Sequence, residues 1–175
     1  MKVPTIVTKR FILRPHTKFD AQTLARNIND RMIARNTMRI VYPYRLKNAK
    51  EWIAKLTKDA RKKQPTWRHF AIDIGGEVVG GIGFDGIEPA HKAELGYWLA
   101  RKYWGRGIMT EAVRAVVRYG FTTLRFKRIS AYTLTFNTSS QRVLKKNGFK
   151  QEGYLRENVK KNGRFVDSYL YAKTR

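Results

Sequence analysis

The chain has 175 residues, enough for one domain with a sizeable core, and its 42% hydrophobic and 13% aromatic content fits a soluble globular protein. Cysteine is absent, which excludes disulfides, thiolate metal sites and cysteine nucleophiles. A formal charge of +24, from 37 Lys and Arg against 13 Asp and Glu, would draw in polyanions such as RNA, a ribosome or an acidic cofactor.

The basic residues run along the whole chain, densest at Arg61-Lys62-Lys63 and Lys160-Lys161, so a solubilising surface is the plain alternative to a nucleic-acid partner. No apolar run is long enough to span a bilayer. The start, Met1-Lys2-Val3-Pro4-Thr5, lacks the apolar segment of a signal peptide, so a cytoplasmic location is expected. His16, His69 and His91 are scattered without metal-ligand spacing; they are expected on the surface or in loops, and no metal site is expected.

In chain order, Ile6–Arg14 reads as a strand closed by Pro15, and Phe19–Ile28 shows helical spacing. Met32–Tyr44 is mixed, with Pro43 arguing against regular structure. Asn48 can cap a helix, with Glu51 in a capping-box position and Trp52, Ile53 and Leu56 as its apolar stripe; Gln64-Pro65 ends it. Trp67–Ile74 and Val78–Ile87 flank Gly75-Gly76 as a hairpin. His91–Leu99 is a strand, and the helix that follows runs to about Leu124. Arg128–Phe136 is a strand. Asn137–Lys146 is a short helix stopped by Asn147-Gly148. Phe149–Val159 and Phe165–Ala172 form a final hairpin. With no linker or repeat, this order predicts a single domain over 1–175 of mixed α/β (α+β) type, one sheet with helices packed on its faces. Gly81, Gly83 and Gly86 match Gly-x-Gly-x-x-Gly but lie within a strand pattern, which argues against a dinucleotide site.

The stretch Glu94–Ala112 carries the chemistry. A strand pattern (Leu95, Tyr97, Leu99) breaks at Ala100–Lys102, Gly105-Arg106-Gly107 follows, and helical periodicity starts at Ile108. The first turn of a helix has unpaired N–H groups and partial positive charge, and glycines let a ligand reach them. Thr110 adds a hydroxyl, and Lys102 and Arg106 add charge. A phosphate seat and an ordinary tight strand-to-helix turn both fit this spacing.

The same stretch resembles the acetyl-coenzyme A segment of the GNAT N-acetyltransferases, Arg/Gln-x-x-Gly-x-Gly/Ala, with Lys102-x-x-Gly105-x-Gly107 here. Its Gly-Tyr-Trp-Leu lead-in and Thr-Glu-Ala exit are similar to the RimJ/RimL-type branch, which acetylates N-termini of ribosomal proteins. Asn137-Thr-Ser-Ser140, Asn147-Gly148-Phe149, Glu152-Gly153 and Asp167-x-x-Leu170-Tyr171 agree with that branch in order and separation.

The resemblance implies a GNAT fold: a mixed, mostly antiparallel sheet whose central parallel strands, ending at Leu99 and Phe136, splay apart, with helices on both faces. It implies acetyl-coenzyme A as co-substrate, with the pantetheine arm on the backbone at Trp98, Leu99 and Ala100. The diphosphate would lie on Lys102, Gly105, Arg106, Gly107 and Ile108 with help from Thr110. Arg142 and Lys145 would meet the adenosine 3′-phosphate, though both also suit a solvated face. The implied acceptor is a protein N-terminus. A small amine such as a polyamine or an antibiotic, and a non-catalytic RNA- or ribosome-binding module, are the alternatives. Relatives often pair as homodimers.

Attack of an amine on a thioester needs a proton acceptor, donors for the oxyanion and a donor for the departing thiolate. Where much of the superfamily has a tyrosine for the thiolate, this chain has Leu144. RimL-like enzymes are similar in that respect, and the resemblance gives the role to Ser140, with Asn137 as cofactor anchor. Helix capping by Asn137 and a first-turn place for Ser140 are the structural alternatives. The RimL base position holds Val159. Of Glu94, Asp85 and Glu157, Glu94 on the cofactor strand is the expected base, or else the partner of an arginine.

Overall fold

The computed structural model describes residues 3–175; Met1 and Lys2, the start of the segment read as leaderless, lie outside them. Eight strands form one sheet: β1 (Ile6–Val7), β2 (Ile12–Arg14), β3 (Arg68–Ile74), β4 (Glu77–Glu88), β5 (Lys92–Leu99), β6 (Arg128–Leu134), β7 (Lys150–Lys161) and β8 (Arg164–Thr174). Their order is β1-β2-β3-β4-β5-β6-β8-β7. Every neighbouring pair is antiparallel except β5 with β6. That parallel pair has only three rungs, Lys92 with Arg128, Ala93 with Ile129 and Glu94 with Ser130. Beyond Glu94 the two strands part, as the resemblance implied.

Helices α1 (Ala21–Ile28), α2 (Arg31–Asn36) and α3 (Leu46–Ala60) cover one face, where Leu24, Ile28, Ile33 and Ile53 pack on Ala71 and Val78. Helices α4 (Ile108–Thr122) and α5 (Thr138–Lys146) cover the other. There Ala112, Val113, Val116 and Leu144 pack on Phe70, Ile82, Phe84 and Leu95. The period-2 alternation of the strands thus feeds two cores, one on each side. Among the described residues no helix is long and apolar enough to cross a membrane.

The expected single strand Ile6–Arg14 is two strands. The Thr8 hydroxyl donates to the Phe11 carbonyl at 2.7 Å and its amide does so at 3.1 Å, which turns the chain back on itself. The stretch read as mixed before Pro43 opens with α2, because Asp30 Oδ1 accepts from the Met32 and Ile33 amides and caps it. Asn48 does not start α3: the helix begins at Leu46, and Asn48 Oδ1 reaches back to the Arg45 amide at 2.8 Å. The helix ends at Ala60, short of Gln64. β6 stops at Leu134, leaving Phe136 exposed before α5. Gly81, Gly83 and Gly86 all lie in β4. There a Cβ on Gly83 would come 2.5 Å from the Arg68 carbonyl, so close strand approach accounts for it.

Near β2, Arg14 binds Asp20 through two nitrogens at 2.8 Å and Asp73 at 2.7 Å. Burial opposes the charge of Asp20, but the Arg14 fork and the Thr17 amide hold its pKa below the ordinary value.

Candidate functional site

After β5, Ala100 opens a short 3-10 turn (Arg101–Tyr103), and Trp104 to Gly107 stand exposed. Gly105 and Gly107 have φ of +75° and +73°, backbone that an L side chain adopts only under strain. Gly107 is the N-cap of α4. Among the described residues, the amides of Gly105 through Thr110 donate to no protein acceptor, and the ladder begins at Glu111 N to Gly107 O. This is a row of unpaired N–H groups at a helix N-terminus. Ile108 is buried in the core and anchors the first turn. Thr110 is half-buried, and its carbonyl accepts from Asn147 Nδ2 at 3.2 Å.

Arg10, in the turn between β1 and β2, braces this loop. Its Nη1 donates to the Arg106 carbonyl at 2.6 Å and its Nε to Glu111 at 2.8 Å. Nothing in the local sequence signalled it, because the partners lie about a hundred residues away. Lys102 and Arg106 are exposed and flank the Tyr103 ring, at 5.2 Å and 5.9 Å from its centre. Lys102 also lines a depression of about 400 Å³ with Arg26, Asn27, Asn29, Asp30 and Arg101, towards α1. Arg142 and Lys145 are exposed on α5, whose far end Asn147 ties to the first turn of α4.

The strand end is partly occupied by the protein itself. The Leu99 carbonyl accepts from the Trp104 indole at 2.7 Å, and the Ala100 amide donates to Val79 at 2.8 Å. Trp98 turns to the other face and lies over Gly81, where an added Cβ would come 2.6 Å from its Nε1. Between Glu94 and Leu99, the backbone of β5 on the β6 side has no strand partner.

At the start of α5, Asn137 is the N-cap, with Oδ1 accepting from the Ser140 amide at 3.1 Å. Its Nδ2 donates to the Asn36 carbonyl at 2.9 Å, joining α5 to the end of α2. The Ser140 hydroxyl lies 2.8 Å from the hydroxyl of Tyr97 on β5. Sequence reading used Tyr97 only as an apolar strand position; its hydroxyl bridges the gap between the parted strands.

Glu94 occupies the last rung before the strands part and sits opposite Asp85 on β4. Burial raises the Glu94 pKa; Arg39 works against this and Asp85 adds to it. Burial also opposes the charge of Asp85, yet its pKa is held low by the His69 ring at 2.9 Å and by Arg39. His69 is therefore not a surface or loop residue as expected: it lies in β3 and packs edge-on against Trp52. Glu157 lies in a bulge of β7 at the far edge of the sheet, its amide bound to Asp167 at 2.8 Å. Asp167 also takes the Tyr154 hydroxyl, so this pair is spent within the last hairpin. Val159 pairs with Val166 and offers no base. Among the described residues no group of side chains has metal-ligand spacing.

Residues 10–150 match the family described as acetyltransferase (GNAT) domain. The chain is 32% identical over 169 residues to p20 of Bacillus licheniformis, an uncharacterized N-acetyltransferase, covering 96% of this chain and 94% of that one. It is 35% identical over 105 residues to the ribosomal-protein-serine acetyltransferase of Escherichia coli strain K12, 59% of each chain. RimJ of Mycobacterium smegmatis, solved with CoA-disulfide, superposes with a TM-score of 0.86 at 25% identity, over 98% of this chain and 88% of that one. The chain therefore belongs to the GNAT acetyltransferase family, as an N-acetyltransferase whose co-substrate is acetyl-coenzyme A.

Proposed function

We propose that the acceptor is the N-terminal α-amine of a protein, with a ribosomal protein as the sharpest candidate. The observation that carries this reading is the place of Glu94. A half-buried carboxylate stands at the rung where the central strands part, beside the gap an acyl donor would enter.

In this reading the diphosphate of acetyl-coenzyme A takes the open amides from Gly105 to Thr110, with Lys102 and Arg106 adding charge. The pantetheine arm runs along the edge of β5 that β6 leaves beyond Glu94, towards Trp98, Leu99 and Ala100; the Leu99 carbonyl is already taken by the Trp104 indole, so the arm meets amide hydrogens of that edge. Arg142 and Lys145 serve the 3′-phosphate. The carbonyl oxygen of the thioester accepts a freed β5 amide hydrogen. The neutral amine attacks the carbonyl carbon, forming the C–N bond, and its surplus proton passes to Glu94 directly or through water. The tetrahedral intermediate then expels the thiolate, breaking the C–S bond, and the Ser140 hydroxyl donates a hydrogen bond to the sulfur. Asn137 fixes the turn that carries Ser140, since both ends of its amide are engaged as cap and tether.

An α-amine titrates near ~8, so a useful fraction is neutral at pH 7, whereas a lysine side chain near ~10.4 asks far more of the base. The relatives named as ribosomal-protein acetyltransferases support the same acceptor class.

The test offers purified protein acetyl-coenzyme A and peptides with free or blocked N-termini, reading free thiol and peptide mass. Acetylation of free N-termini alone is expected. Transfer to small amines but to no peptide, or to lysine side chains of blocked peptides, would overturn the proposed acceptor.

A further inference from the structure

We propose that Tyr97 is a positioning residue for acetyl transfer, aiming the Ser140 hydroxyl at the sulfur of the acyl donor. The inference rests on the reading of Ser140 given above. Tyr97 lies on β5 three residues past the last rung shared with β6, where the strand faces the gap. Its side chain crosses to α5, with the hydroxyl 2.8 Å from Ser140 Oγ and 3.3 Å from the Ser140 carbonyl. The Ser140 backbone is itself pinned by Asn137. One side chain therefore joins the strand that would hold the thioester to the group that would meet its sulfur.

The direction of the hydrogen bond decides the role. A phenol that donates to Ser140 Oγ leaves the serine proton free to point into the gap. Without that donor, a serine in a first helical turn is free to spend its proton on nearby backbone. Tyr97 is not itself the proton source. A phenol titrates near ~10 and a thiol near ~8.5, so transfer from tyrosine to thiolate runs uphill. Burial widens that gap by pushing the Tyr97 phenol higher still, against the smaller opposing effect of Ser140. Tyr97 thus stays protonated throughout the working range, with one proton that reaches either Ser140 Oγ at 2.8 Å or the Ser140 carbonyl at 3.3 Å, and the shorter contact is taken as the one it donates to.

The experiment compares wild type, Tyr97→Phe, Ser140→Ala and the double variant, reading kcat and KM at saturating acceptor peptide. Tyr97→Phe is expected to lower kcat about tenfold, the scale of one buried hydrogen bond, with KM for acetyl-coenzyme A within about twofold. The double variant should be no slower than Ser140→Ala, because the two hydroxyls act as one unit. Multiplying losses, or a Tyr97→Phe kcat within about twofold of wild type, would overturn the proposal. Melting temperature accompanies each variant. If Tyr97→Phe melts early, kcat is read at a lower temperature where every variant is folded. A kcat still about tenfold below wild type then supports the proposal, and one within about twofold overturns it. An active wild type confines any failure to Tyr97, whereas a wild type that acetylates no peptide defeats the underlying reading as well.

Discussion

Asp85 and Glu94 face each other across β4 and β5, and one guanidinium, that of Arg39, reaches both, at 3.3 Å and 3.5 Å. Like charges on directly opposed strand positions destabilise each other, so a cation between them is favourable. Arg39 is nonetheless a loose partner: its side chain is 70% exposed and both contacts are long. An incoming ammonium would compete for the same carboxylates. Arg39→Gln is therefore expected to lower KM for the acceptor peptide several-fold, ~1 kcal/mol of relieved competition. Asp85→Asn should raise it. Acceptor titrations at saturating acetyl-coenzyme A, repeated at two salt concentrations, check both, and an unchanged KM in Arg39→Gln would place Arg39 outside the acceptor's path.

Arg10 should matter more for the co-substrate than for the fold. Its pair with Glu111 is partly exposed, a setting in which ion pairs contribute only about 0.2–1 kcal/mol. Its hydrogen bond to the Arg106 carbonyl, however, holds the loop whose amides are open. Arg10→Ala is expected to shift melting by no more than a few degrees while weakening acetyl-coenzyme A about five- to tenfold, read by calorimetry. An unchanged affinity would show that the loop holds its shape alone.

Acid should weaken the fold before the carboxylates titrate. Desolvation lowers the His16 pKa to about 4, against the pull of Asp20 and with help from His69, and its Nδ1 is buried with no partner among the described residues. The unfolded chain takes up this proton near ~6.5, and the folded chain only near the lower value. Stability is thus full above pH 6.5 and falls as pH drops towards 4, by about 2 kcal/mol at pH 5. Melting curves between pH 7 and pH 5 should show this slope in wild type and lose most of it in His16→Gln.

Acetyl-coenzyme A binds only the folded chain, so it should raise the melting temperature. At about 100 times its dissociation constant the stabilisation is ~2.7 kcal/mol, a shift of roughly 5–11 °C for a domain of this size. Gly107→Ala, which puts a Cβ on backbone at φ +73°, should reduce the ligand-induced shift as well as the starting temperature.

The sheet, its hairpins and the glycine loop were legible because each rests on local pattern: strand alternation, Gly75-Gly76, and a strand-to-helix break at Gly105–Gly107. Asn137 was legible as a cap for the same reason. Arg10, Tyr97 and Asn147 were not, because each acts on a backbone or hydroxyl tens of residues away and looks locally like a strand cation, a core aromatic and a helix stop. The break of the first strand at Thr8 turned on a single hydroxyl, and the unexpected helix α2 on the Asp30 carboxylate that caps it, signals too small to read against the surrounding pattern.

Three rungs hold β5 to β6, so the eight strands behave as two rafts, five on one side and three on the other, hinged at a short spine. Away from that spine the rafts are braced by side chains, among them Asn147 reaching from the end of α5 to the Thr110 carbonyl of α4 and Lys161 from the last hairpin to the Thr37 carbonyl. A family that needs a wider or narrower cleft can tune it at those braces, leaving the reacting groups unchanged.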